Sequence, residues 1–130
     1  MLKDAPAMVS FSIDNLEKAK EFYSNTLGLN VDDNMASGVL MLTLAGGVQV
    51  MAYVKATHQP ATYTLLNFTV NDIVKSIKEL TAKGVEFLHY DQPDLKTDKN
   101  GVVDYGMMKI AFFNDPAGNN HAVMEMKQKD

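Results

Sequence analysis

Cysteine is absent from the 130 residues. Without it there is no disulfide frame, no thiolate nucleophile and no cysteine-ligated zinc. Arginine is absent too, since all 12 basic residues are lysine. The planar fork that grips carboxylates and phosphates at two points is missing, so a highly anionic substrate would fall to lysines, hydroxyls and backbone N–H groups. Excess positive charge is also lacking. Sixteen acidic residues against 12 basic ones leave a formal net charge of −4, which argues against nucleic acid or an anionic membrane as partner. No apolar run approaches the roughly 18 residues of a membrane span. The opening Met-Leu-Lys-Asp-Ala-Pro has no signal-peptide apolar core, and a cytoplasmic location is expected. What is present, 46% hydrophobic and 22% charged residues, suits one globular domain.

Val9, Phe11 and Ile13 alternate with Met8, Ser10 and Ser12, the period of a half-buried strand. Asn15 can cap a helix carrying Leu16, Ala19, Phe22, Tyr23 and Leu27, with Gly28 closing it. Strands are expected at 29–33, 39–44 and 48–54, the last two joined at Gly46-Gly47. After a polar connection containing Pro60, the pattern restarts. Leu66, Phe68 and Val70 alternate with Leu65, Asn67 and Thr69, Asp72 caps a helix carrying Ile73, Ile77 and Leu80, and Gly84 ends it. Strands are expected at 85–90, 107–113 and 120–126, interrupted by an exposed loop over 91–106 with the length of a lid or binding loop.

The halves repeat. Phe11-Ser12-Ile13 and Phe68-Thr69-Val70 stand 57 positions apart, as do Asn15-Leu16 and Asp72-Ile73. The organisation predicted is a single domain over 1–130, made of repeat unit 1–54, linker 55–63 and repeat unit 64–130, each unit being too small to fold well alone. The fold predicted is α+β: two βαβββ units forming a cupped mixed sheet, helices outside and a cavity inside.

The run Ile13-Asp14-Asn15-Leu16-Glu17-Lys18-Ala19-Lys20-Glu21-Phe22-Tyr23, followed by Leu27-Gly28-Leu29, resembles the opening of the vicinal oxygen chelate superfamily of glyoxalases, extradiol dioxygenases and bleomycin-type resistance proteins. Phe112-Phe113-Asn114-Asp115-Pro116-Ala117-Gly118-Asn119 resembles its Asp-Pro-x-Gly-Asn turn. Both motifs are structural, and they identify an architecture rather than a reaction. In the family's enzymes, His, Glu or Gln side chains on the open sheet faces hold one divalent metal. Carried over by position, those ligands fall on Met8, Met51, Leu65 and Ala122, none of which suits a hard or imidazole-type metal site. A one-residue shift would bring His121 into the role, but it would turn the whole strand over. No metal and no cofactor are therefore expected.

The ligand-binding residues expected instead are Met8, Ser10, Ser12, Met51, Leu65, Asn67, Thr69, Ala122 and Met124, with Gln49, Tyr53 and Asn120 beside them. Adaptable thioethers with a few hydroxyls and amides make a usual pocket lining. Catalytic candidates are His89, Tyr90 and Asp91, where the sixth expected strand meets the long loop, with His89 and Asp91 on one strand face. Glu125 is expected on the helix side, and Lys109 at the cavity rim. The preferred function is metal-independent binding of a small, largely apolar molecule, as in the drug-sequestering branch of the family. One alternative is a lyase, isomerase or dioxygenase of the same superfamily. The other is a non-catalytic regulatory module with a filled cavity. The resemblance also implies a homodimer, which would cover edge strands.

Overall fold

The alternating stretch before Asn15 forms the first strand, β1 (Val9–Ile13), in a computed structural model that describes residues 1–127. The last three positions of the expected second repeat, 128–130, lie outside the described residues. Two units, Met1–Pro60 and Ala61–Asp130, divide the chain.

In the first unit, Asn15 caps α1 (Leu16–Glu21), its side chain accepting from the Lys18 N–H at 2.9 Å. The expected single helix to Leu27 does not stay α-helical. From Phe22 to Thr26 it widens into a π-type turn, with the Leu27 N–H reaching back five residues to the Phe22 carbonyl at 2.9 Å. Tyr23 sits in that turn, fully buried, its ring 6.0 Å from Phe11 and 5.2 Å from Phe22. Three strands follow: β2 (Asn30–Asp32), β3 (Val39–Thr43) and β4 (Gln49–Val54). Gly46 and Gly47 both take φ near +80°, a conformation disfavoured for side-chain-bearing residues, and turn β3 into β4. The sheet order is β1-β4-β3-β2, with β1 parallel to β4 and the other pairs antiparallel. Phe11, Ile13, Leu40, Leu42, Val50 and Ala52 fill one face and are buried with Ala19 and Tyr23 from the helical segment.

The second unit repeats this plan. β5 (Thr64–Thr69) leads to α2 (Ile73–Ala82), and then come β6 (Asp91–Gln92), β7 (Leu95–Lys96), β8 (Val102–Asp104), β9 (Met108–Asn114) and β10 (Asn120–Met126). The order β5-β10-β9-β8 matches that of the first sheet, again with one parallel pair. Two four-stranded mixed sheets, each with one helix, make the α+β architecture that the repeat predicted. The N-terminus of α2 is capped twice: Asp72 accepts from the Lys75 N–H at 3.1 Å and Glu125, from β10, accepts from the Ile73 N–H at 3.0 Å. Glu125 is thus on the helix side, as its parity implied.

The expected strand over 85–90 does not form. Only Phe87 bridges to Phe113, their rings 5.7 Å apart, while Val85 is buried as an isolated apolar anchor. The fourth strand of the sheet comes from inside the stretch expected to be loop. Asp98 accepts from the N–H groups of Asn100 and Val102, a turn that feeds Val102 and Val103 into the free edge of β9. β6 and β7 pair as a small hairpin within the same excursion. Among the described residues no helix is long and apolar enough to cross a membrane.

Candidate functional site

Each sheet has a face its helix does not cover, and on the first sheet that face is polar and half open. Ser10 lies beside Met51, and Ser12 beside Tyr53, across the β1–β4 pair. Met51 in turn faces Met41 on β3. Side-by-side partners share a face, so Ser10, Ser12 and Met51 come together. Met8 does not join them in the ladder. It precedes β1 and is 49% exposed.

A residue that sequence reasoning left in the linker completes this face. The Lys55 N–H bonds the Ile13 carbonyl at 3.1 Å, extending the β1–β4 ladder past the end of β4. A turn closed by the His58 N–H on the Lys55 carbonyl at 3.0 Å then returns the imidazole to β1. Ser12 Oγ and His58 Nδ1 stand 2.6 Å apart. The partners are 46 residues apart, and no local spacing announces the contact. The one available signal was topological: a strand parallel to β1 must end beside the end of β1.

On the second sheet Asn67 pairs with Ala122 and Thr69 with Met124. Leu65 does not share their register. Thr64 pairs with Asn120 and Asn67 with Ala122, so β5 carries one residue more than β10 between these rungs, and Leu65 falls in the irregularity. A polar rung crosses three strands here, Thr64 Oγ1 to Asn120 Oδ1 at 2.8 Å and Asn120 Nδ2 to Asn114 Oδ1 at 3.3 Å. Beyond it the face is not hollow. Ala122 is fully buried and clusters with Val103 and Ile110, and Leu95 of the β6–β7 hairpin packs against them with Met108, Phe112 and Met124. The long excursion thus covers part of its own unit's helix-free face.

His89, Tyr90 and Asp91 do not converge. Without a strand over 85–90 there is no common face for His89 and Asp91. His89 lines a hollow of about 740 Å³ beside α2, with Ile77, Val85, Phe87, Lys78 and Lys99. Tyr90 instead sets its ring edge-on to Phe112 at 5.9 Å, and Asp91 pairs with Lys96 in the hairpin. Lys109 shares its rung with Asp104 and Glu125, on the helix side, and not at the rim of the open face.

His121 is fully buried on the helix side, its ring centroid 5.8 Å from that of Phe113. Nδ1 accepts from the Leu66 N–H at 3.3 Å, and Nε2 lies 3.9 Å from the Asp115 carboxylate. Burial pushes the imidazole down to about 4, against an opposing pull from Asp115. Asp115 itself is the centre of the turn: its carboxylate accepts from the N–H groups of Ala117 and Asn119 at 2.9 and 2.8 Å, and from Asn119 Nδ2 at 3.1 Å. Neither residue reaches the helix-free face.

The chemistry of the donor set decides whether a metal fits. The positions that the resemblance assigns to the family's ligands carry two thioethers, Met8 and Met51, and two hydrocarbon side chains, Leu65 and Ala122. No oxygen or nitrogen donor stands at any of them, so the family's divalent ion does not fit there. No group of three or more His, Asp or Glu side chains close enough to hold a metal occurs elsewhere among the described residues.

Two β-α-β-β-β units with matched strand order define the glyoxalase type of α+β protein. The family model described as Glyoxalase/Bleomycin resistance protein/Dioxygenase superfamily matches residues 6–123, and the chain belongs to that family. Among solved structures it is similar to a putative glyoxalase family protein from Bacillus anthracis, with TM-score 0.70 and 19% identity, covering 98% of this chain and 100% of that one. It is similar to TnmS3, an antibiotic binding protein from Streptomyces sp. CB03234, with TM-score 0.66 and 20% identity over 95% and 98% of the two chains. It is similar also to the fosfomycin resistance protein FosX from Listeria monocytogenes, with TM-score 0.69 and 14% identity over 95% and 94%. At these identities the likeness is one of fold. None of the curated proteins matches the chain.

Proposed function

We propose that the chain binds a small, largely apolar molecule on its helix-free sheet faces without help from a metal. What carries this reading is the donor set that the family resemblance implies: Met8, Met51, Leu65 and Ala122 offer no oxygen or nitrogen side-chain donor. The paired Ser10, Ser12, Met51 and Tyr53 support it, because uncharged hydroxyls beside a thioether orient an apolar guest without demanding a charged one. Asn67 and Thr69, both exposed, extend the same lining chemistry to the second sheet. Antibiotic binding by TnmS3 shows a comparable use of the fold in another protein. The reading includes one domain built of units 1–54 and 64–130 joined by 55–63, assembled as a homodimer in the cytoplasm.

A second reading is favoured by one observation. Leu95, Val103, Ile110 and Ala122 pack together on the helix-free face of the second sheet, as a regulatory module with a filled cavity requires. A thermal-shift panel of aromatic antibiotics and apolar metabolites, run on chelator-treated protein, separates the two. A ligand at a hundred times its Kd adds about 2.7 kcal/mol, which for a domain of this size raises Tm by roughly 10 °C. Uniformly flat shifts favour the filled module. Shifts that appear only after metal is restored favour a metal-dependent lyase, isomerase or dioxygenase.

A further inference from the structure

We propose that Ser12 and His58 form a nucleophile–base pair, so that the chain accepts acyl groups from small, neutral, apolar esters at Ser12 Oγ. This goes beyond ligand binding and does not depend on it. The 2.6 Å contact lies within the reach that lets an imidazole take a hydroxyl proton. With the ring proton on Nε2, Nδ1 is the acceptor and the Ser12 hydroxyl the donor.

Both groups are held by backbone rather than by mobile side-chain contacts alone. Ser12 sits inside the β1–β4 ladder, and His58 is fixed by the turn on Lys55, itself bonded to Ile13. Both side chains are half-buried, which strengthens their interaction while leaving a path to the oxygen. The neighbours of Ser12 along its rung, Tyr53 and then Val39, are uncharged, and this selects a neutral substrate. Tyr53, the register partner of Ser12, brings an uncharged hydroxyl to the same face.

The step balances without an added cofactor. Ser12 Oγ bonds to the carbonyl carbon while His58 Nδ1 takes the hydroxyl proton. The tetrahedral adduct collapses, the carbon–alkoxide bond breaks, and the proton leaves with the alcohol. Water, deprotonated by the same nitrogen, then releases the acid and restores Ser12.

The test uses the full chain and a fluorophosphonate probe. Its phosphorus takes the place of the carbonyl carbon: an Oγ–P bond forms, the P–F bond breaks, and the proton departs with fluoride. Intact mass and peptide mapping are expected to find one adduct per chain, on Ser12. Ser12→Ala removes it, Ser37→Ala, at an exposed turn, leaves it, and His58→Gln slows it by about 100-fold while the melting curve stays cooperative. An unlabelled Ser12, labelling scattered over other hydroxyls at equal rate, or a His58→Gln protein labelled as fast as the wild type overturns the proposal. Should His58→Gln fail to fold, the location of the adduct in wild type and Ser37→Ala decides alone.

Discussion

Acidification should destabilise this protein through His121. The imidazole is fully buried, and its folded value of about 4 lies below the usual 6.5. A group depressed in this way contributes its full share of stability above pH 6.5 and loses it as pH falls towards 4, because the unfolded chain takes the proton first. The structural cause is visible. Protonation at Nδ1 would turn an acceptor into a donor facing the Leu66 N–H, inside a site closed by Phe113. Linkage between these two values gives a loss of about 2 kcal/mol from pH 7 to pH 5, approaching about 3 kcal/mol near pH 4. The assay is urea unfolding at half-unit pH steps for wild type and His121→Asn, whose amide oxygen can still accept from Leu66. The offset between the proteins reports lost packing, whereas the difference in slope reports the proton. Wild type should lose about 2 kcal/mol more than the variant over that interval. Parallel profiles would refute the account of His121.

Asp115→Ala should cost about 2–4 kcal/mol in urea unfolding, since it leaves the N–H groups of Ala117 and Asn119 without their acceptor in a buried turn. Ala122→Leu should cost about 1–3 kcal/mol, because the cluster with Val103, Ile110 and Leu95 leaves no room for the added carbons; a neutral or stabilised variant would mean that this face is hollow. Gly101→Ala should destabilise by about 1–2 kcal/mol by the same measurement. Gly101 has φ +88°, and an added Cβ would lie 3.3 Å from both the Leu88 carbonyl oxygen and the Phe87 Cβ.

The parts of the fold legible in the sequence were those written in local period. Val9–Ile13 alternates because one face of β1 is buried, and β10 runs over Asn120–Met126, the range expected for it. Asn15 and Asp72 announced their helices through cap chemistry. The failures share a cause. Val85–Tyr90 has strand composition, yet its apolar residues are used as single anchors, and the edge of β9 is taken by Val102–Asp104. Competition for one sheet edge between two stretches of one chain is not recorded in either stretch alone. The same holds for the candidate site. Ser10 and Ser12 could be grouped by parity, but the return of His58 to Ser12 depends on which strands are neighbours. Leu65 falls where β5 carries one residue more than β10, an irregularity that its local alternation does not record.

Metal content bears most directly on the claim that the positions of the family's ligands here hold none. Protein prepared without chelator should carry only substoichiometric Fe, Mn, Ni or Zn, and its Tm, with and without a bound aromatic ligand, should be unmoved by EDTA. One tightly held divalent ion per chain, whose removal lowers Tm or abolishes ligand binding, would contradict it.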